Sequence, residues 1–211
     1  MKNRQINSLI SRLATLMLIL IQSFAIHAQT TEQVRTILDK TASVIGRSGG
    51  ASANFSIISP KIGSTSGTIA IKGNKFHART PQAIVWFDGT TQWSYLKKTN
   101  EVNISNPTQA QQMGMNPYTF ITMYRSGYTL SSKNTVNGYQ VHMLAQDKQR
   151  SIQEMYILIN KNNYCPTQVK MRQKDTWTTI DISNFQAKNQ PNSIFVFRPK
   201  DLPAAEIIDL R

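Results

Sequence analysis

Ile84-Val-Trp-Phe-Asp-Gly-Thr-Thr-Gln-Trp-Ser-Tyr95 carries the fold in miniature. Ile84 to Phe87 reads as a short strand, Asp88-Gly89 as a hairpin turn, and Trp93 and Tyr95 as its return strand. The same texture runs outward in both directions. Upstream, Phe55 and Ile57, then Ile69 and Ile71, alternate with small or polar residues across the loop Pro60-Lys-Ile-Gly-Ser64, and Gly73-Asn74 breaks the second strand. Downstream, Asn100 sits in a turn, and Asn137-Gly138 opens a strand with Tyr139, Val141, Met143 and Ala145. Met155 to Ile159 is apolar at every position and reads as a strand covered on both faces. Asn162-Asn163 turns into a strand with Val169 and Met171, Lys174-Asp175 turns into Trp177 to Phe185, and a last strand, Ile194 to Phe197, precedes Arg198-Pro199. Strands at intervals of about ten residues predict an antiparallel meander.

Two segments have a different period. Val34, Ile37, Leu38, Thr41 and Ile45 recur every three or four residues and predict a helix with one apolar face, capped by Thr30 or Thr31 and ended by Gly46, Gly49 and Gly50. Residues 106–125 interrupt the sheet. Pro107, Gly114 and Pro117 exclude one continuous helix, so two short helices are expected, the second capped by Asn116 with Pro117 at its first position. That segment is rich in methionine and aromatics, a composition that suits adaptable apolar contact.

Residues 1–28 read as a secretory signal peptide. Lys2, Arg4 and Arg12 precede an uncharged run from Leu13 to Ile21, and Ser23, Ala25 and Ala28 supply small residues for cleavage after Ala28. A spanning helix needs about 20 apolar residues, and Gln22 and His27 interrupt this run too early. The remaining 29–211 suit one domain in the periplasm. It holds 21 of the 24 basic residues and all 11 acidic ones, a net charge of +10. The basic residues are scattered, and an exported protein has little use for nucleic acid, so none is expected as a partner.

The residues argue against an enzyme. Cys165 is alone and is read as a buried small residue before Pro166. His77 and His142 are the only histidines of the mature part, and neither has a carboxylate at metal-ligand spacing. No nucleophile-elbow, phosphate-loop or dinucleotide motif occurs. Neither a catalytic residue nor a metal or other cofactor is expected.

Several stretches together resemble the periplasmic outer-membrane lipoprotein carrier family (LolA). They are Gly67-Thr-Ile-Ala-Ile-Lys72 with Asn74-Lys-Phe76, the Asp88-Gly89 hairpin with Trp93-Ser-Tyr95, Pro117-Tyr-Thr-Phe120, and Ile194-Phe-Val-Phe-Arg-Pro199 with Ile207-Ile-Asp209 after it. The resemblance implies a mainly β protein with α: an unclosed antiparallel β-barrel, a half-barrel, with a short-helix lid and an N-terminal helix. It implies that lipoprotein acyl chains lie in an apolar hollow. A monomeric carrier would take them from an inner-membrane lipoprotein-releasing ABC transporter to an acceptor at the outer membrane. The chain departs from the family's pattern at one place. An Arg-Pro pair, whose Arg tethers the lid, is replaced by Gly73 directly after Lys72, and Arg79 lies further on.

Alternation and the resemblance give the expected lipid-binding residues. Ile69 and Ile71 share a strand face, Phe76 matches the family's entrance aromatic, and Trp93 and Tyr95 share another face. Met113, Met115, Phe120, Ile121 and Met123 would close the top, so Phe120→Glu or Met123→Glu is expected to remove loading and spare the fold. The same half-barrel also serves lipid-sensing or envelope-stress regulatory binding proteins. A polymer-binding module that uses the +10 charge, or an enzyme on envelope lipids, stands further off.

Overall fold

The computed structural model describes residues 30–61, 63–112 and 117–211. The predicted signal peptide, Met113, Met115 and the Asn116 cap lie outside them.

The described residues open with helix α1 (Thr31–Ile45). Thr30 Oγ1 accepts from the Gln33 amide at 3.3 Å, and the Thr30 amide donates to Gln33 Oε1 at 2.9 Å. This capping box satisfies two of the amides that a helix start leaves free. Val34, Ile37, Leu38, Thr41, Ala42 and Ile45 form its buried face.

Twelve strands follow: β1 (Ala51–Ser59), β2 (Gly63–Lys72), β3 (Lys75–Arg79), β4 (Ala83–Phe87), β5 (Gln92–Leu96), β6 (Glu101–Ser105), β7 (Tyr128–Thr135), β8 (Gly138–Ala145), β9 (Glu154–Asn160), β10 (Pro166–Gln173), β11 (Thr176–Gln186) and β12 (Glu206–Asp209). They form one sheet in the order β12-β6-β5-β4-β3-β2-β1-β11-β10-β9-β8-β7, not closed into a barrel. The chain thus makes two meanders that meet where β1 pairs with β11. Two short helices, α2 (Gln109–Gln112) and α3 (Pro117–Thr122), stand between β6 and β7, as expected of the segment. The Asp88 carboxylate closes the β4–β5 turn by accepting from the amides of Thr90 and Thr91, both at 2.8 Å.

Three expectations change. Ile194 to Phe197 is not a strand: Asn192–Phe195 is a single 3₁₀ turn after Pro191. Its apolar alternation is real, with Phe195 and Phe197 buried and Val196 exposed, but Phe197 packs over the Trp86 ring (centroids 5.4 Å apart) rather than joining a ladder. The last strand is instead β12, which pairs in parallel with β6. Third, Met155 to Ile159 is not buried on both sides. Met155, Ile157 and Ile159 are core, whereas Tyr156 and Leu158 are half-buried on the other face.

α1 packs against α3 and β7 on one face of the sheet, here called inner. Its buried face joins Leu130, Val141, Met143, Met155, Ile157 and Met171 in the main core. A smaller cluster, Trp86, Val102 and Phe197, forms on the outer face beneath the C-terminal segment.

Gly67 marks a close crossing of β2 over β3. A Cβ there would lie 1.9 Å from the Arg79 carbonyl oxygen and 3.0 Å from Cζ of Phe55. We expect Gly67→Ala to lower the unfolding free energy by about 1–3 kcal/mol, the usual cost of overpacking, as measured by urea denaturation. An unchanged midpoint would show that the crossing relaxes freely.

Candidate functional site

Strand register sorts the inner face into rows that run across the strands. In the first, Phe87, Phe76, Ile71 and Ala51 stand side by side on β4, β3, β2 and β1. All four are buried, none more than 6% exposed. The next row, one pleat along, is Val85, Ala78, Ile69 and Ala53. Val85, Ala78 and Ile69 are only half-buried, although they touch the main core. Gly67, Phe55 and Ile182 make the third row, and Thr65, Ile57 and Ile180 the fourth. Phe55, Ile57, Ile180 and Ile182 are likewise half-buried.

The inner face is therefore uneven. On β8 to β10 the inward side chains Val141, Met143, Met155, Ile157, Ile159, Val169 and Met171 are at most 5% exposed. On β1, β2, β3, β4 and β11 an apolar strip continues beyond the covered part and stays partly open. Small Ala78 beside Val85 and Ile69 makes the second row a shallow furrow, bordered by the covered row and by Phe55.

The expected lipid-binding residues fall into three groups. Ile71, Phe76 and Phe120 are in the main core, and Ile69 and Met123 are half-buried against it. Phe120 is 6% exposed, so a charge there would strike the fold as well as the site, and Phe120→Glu is not the benign variant expected above. Met123 remains a usable position. Trp93 and Tyr95 lie elsewhere. Trp93 pairs with Trp86 and Tyr95 with Ile84, and both rings pack with the outer cluster. Met113 and Met115 are outside the described residues, as is the side chain of Ile121. Val85, Ala78, Phe55, Ile57, Ile180 and Ile182 were not anticipated as a lining. The signal for them was the alternation of Phe55 with Ile57 and of Ile180 with Ile182. Tyr139, Val141 and Met143 also point inward.

One polar tie links the segment after α3 to α1. The buried Tyr124 hydroxyl donates to the Asp39 carboxylate. Burial and Asp39 together hold this phenol above its ordinary pKa. Arg79 does not take the place of the family's tethering Arg. It is an outer-face residue whose Nε donates to His77 Nε2 at 3.2 Å. Lys72 reaches the Gln190 carbonyl at 2.9 Å and anchors the C-terminal segment.

On β8 to β10 the outer face carries a polar network around Glu154. Glu154 accepts from Tyr156 at 2.9 Å and from Arg172 at 3.0 and 3.1 Å, and pairs with His142 Nε2 at 3.0 Å. Burial alone would raise its pKa, but the hydrogen bonds from Tyr156, Arg172 and His142 outweigh it and hold the carboxyl below its ordinary value. Two shallow grooves of about 410 and 390 Å³ run over β1, β2 and β11, where Ser52, Asn54, Ser56, Thr68 and Ser183 are joined by atoms of Ala53, Phe55 and Ile69. Cys165 is buried as expected, and burial raises its thiol pKa.

An open half-barrel with an N-terminal helix and a short helical segment against a partly uncovered apolar face defines the class of fold. The family model for outer membrane lipoprotein carrier protein LolA matches residues 24–175, and the chain belongs to that family. An uncharacterized conserved protein from Thermus thermophilus superposes with a TM-score of 0.58 at 13% identity, covering 84% of this chain and 99% of that one. It shows the same fold. A LolA superfamily protein from Nitrosomonas europaea (TM-score 0.43, 11% identity) covers 78% of this chain and 97% of its own length. A putative outer membrane lipoprotein-sorting protein domain from Vibrio parahaemolyticus (0.44, 11%) has the same coverages. No curated protein matches the chain.

His77 gives a pH test of the outer face. Burial, then the neighbouring Arg79 charge, lowers its pKa from 6.5 to about 4. The unfolded chain binds that proton first, so stability is full above about pH 6.5 and is lost as pH falls toward 4. Thermal melts from pH 7 to 4 should show a decline that His77→Gln flattens. Parallel declines in both proteins would remove His77 as its source.

Proposed function

We propose that this chain is a periplasmic carrier that holds lipoprotein acyl chains against the open rows of its inner face. Cleaved after Ala28, it would work as a single domain of residues 29–211. It would receive lipoproteins from an inner-membrane ABC transporter and deliver them toward the outer membrane. The observation that carries this reading is the half-buried apolar strip of Val85, Ala78, Ile69, Phe55 and Ile182, continuous with the main core. Family membership supports a lipoprotein acyl chain as the ligand of such a strip.

The energetics suit a carrier. Four strands spaced about 4.8 Å apart span roughly 14 Å. A tail laid across them sets one side of about ten methylenes against the strip, about half of the ~0.8 kcal/mol that full burial of each would give, hence about 4 kcal/mol gross per tail. That corresponds to about millimolar binding for one tail before the costs of association, and several tails on one anchor multiply it. Enclosing every methylene of a multi-chain anchor would contribute roughly 30 kcal/mol, beyond the practical ceiling of about 20, and such a cargo would not leave. A furrow that covers one side of the hydrocarbon permits both capture and release. The step is an exchange of apolar surface, and no side chain of the strip takes part in bond chemistry.

Native mass spectrometry of the protein isolated from the periplasm without detergent should show a bound lipoprotein or acylated fragment. Ala78→Trp, which fills the furrow, and Met123→Glu, which charges the segment after α3 where it packs on the main core, should each reduce the loaded fraction at least tenfold with circular dichroism unchanged. Free lipid alone as the bound species would favour a lipid sensor. Undiminished loading of both folded variants would sink the inner-face site.

A further inference from the structure

The inner face changes character at one strand boundary. The covered row, followed past Phe87, continues with Gln92 on β5 and Ser105 on β6. The furrow row, followed past Val85, continues with Ser94 and then Asn103, and Ile208 of the edge strand β12 ends it. Trp93, Tyr95 and Val102 belong to the outer cluster, so the residues alternating with them face inward. From β1 to β4 every position of these two rows is hydrocarbon, and on β5 and β6 every one carries an amide or a hydroxyl. No Lys or Arg stands at an inward position of β4, β5 or β6. The one charge, Glu101, lies a pleat further along and accepts from Thr99 Oγ1 at 3.0 Å.

Hydrogen bonding within this patch leaves donors to spare. Gln92 is 8% exposed, and its Nε2 donates to Ser94 Oγ at 3.1 Å. Ser94 thus uses an acceptor site on Gln92 and keeps its own hydroxyl proton to give. Asn103 is half-buried and makes no side-chain hydrogen bond among the described residues, so its amide has two protons to offer. Ser94 and Asn103 stand in line with Val85, one and two strand spacings beyond it, about 5 and 10 Å away.

We infer that Ser94 and Asn103, with Gln92 behind Ser94, form a carbonyl site at the end of the furrow, which takes the uncharged ester or amide carbonyl of an acyl chain. The inference rests on the acyl-carrier reading above. A tail lying across β4 to β1 along the furrow row has two unlike ends. Its methyl end suits Ile69 and Ala53. Its carbonyl end, set against hydrocarbon, would lose the hydrogen bonds of water and gain none. On β5 and β6 the same carbonyl meets the Ser94 hydroxyl and the Asn103 amide. The site therefore fixes the direction of the tail, carbonyl toward β6 and methyl toward β1. A phosphate or carboxylate finds no cation there, and a neutral ester or amide needs none.

The test is displacement of a fluorescent lipid probe by monolauroylglycerol and by its ether counterpart, 1-O-dodecylglycerol, which lacks only the carbonyl oxygen. Wild type should prefer the ester about fivefold, the usual net worth of about one hydrogen bond. Ser94→Ala and Asn103→Leu should each lower that ratio and together bring it to about one. Ser94→Thr keeps the hydroxyl and should keep the preference. Ser94→Ala carries the test alone if Asn103→Leu does not fold. A ratio near one in wild type, or an unchanged ratio in every folded variant, overturns the carbonyl site, and binding of the ether then leaves the carrier reading intact. Failure of wild type to bind either compound overturns both. Titration with dilauroylglycerol and with a synthetic diacylated lipopeptide separates the sources of the carbonyl. Weaker binding of both by the double variant supports the site for lipoprotein anchors, and weaker binding of dilauroylglycerol alone supports it for free lipid.

Discussion

One helix cannot cover this sheet. An α-helix of 15 residues is about 22 Å long and, with side chains, about 10 Å wide. Twelve strands spaced at about 4.8 Å extend for roughly 53 Å around the curve. α1 lies toward the β7 end, against β7 and α3, and the inward side chains of β8 to β10 are buried there. The imbalance is greatest over β1 to β4 and β11, where apolar side chains of the same face stay half-open. A globular domain normally matches its layers so that each apolar face is covered. Here the mismatch is built into element lengths.

The two faces are kept distinct by different chemistry. Inward positions on the open strip are Val, Ala, Ile and Phe, with Gly67 and Thr65 in its outer rows and no charged group among the rows described. Outward positions of the same strands are Ser52, Asn54, Ser56, Thr68 and Arg79. On β8 to β11 the outer face carries the network around Glu154, where His142 and Tyr156 stack at 4.4 Å. Glu154 is held there by Tyr156, Arg172 and His142 together.

Much of this was legible in sequence. Val34, Ile37, Leu38 and Ile45 define α1, and the turns at Asp88-Gly89, Gly73-Asn74 and Asn137-Gly138 set the strand sequence. What escaped was which face each aromatic takes. Ile84-Val-Trp-Phe87 is apolar on both sides, so its periodicity cannot assign Trp86, and through it Trp93 and Tyr95, to a face. Phe197 decides it by covering the outer one, a contact more than 100 residues away in sequence. The Ile194 to Phe197 run misled for a related reason: burial alternated as in a strand, but no free ladder was at hand between Pro191 and Pro199. The Tyr124 tie to Asp39 is equally non-local, since nothing in either segment's sequence pairs them.

The central claim is that hydrocarbon occupies the uncovered inner rows. Methyl NMR of isoleucine-labelled protein, titrated with a nitroxide-labelled stearic acid, tests it directly. The account predicts that Ile69, Ile180 and Ile182 broaden first and most strongly, ahead of the outer-face Ile58, Ile84 and Ile207. Broadening strongest at those outer positions, or none at saturating fatty acid, would contradict it.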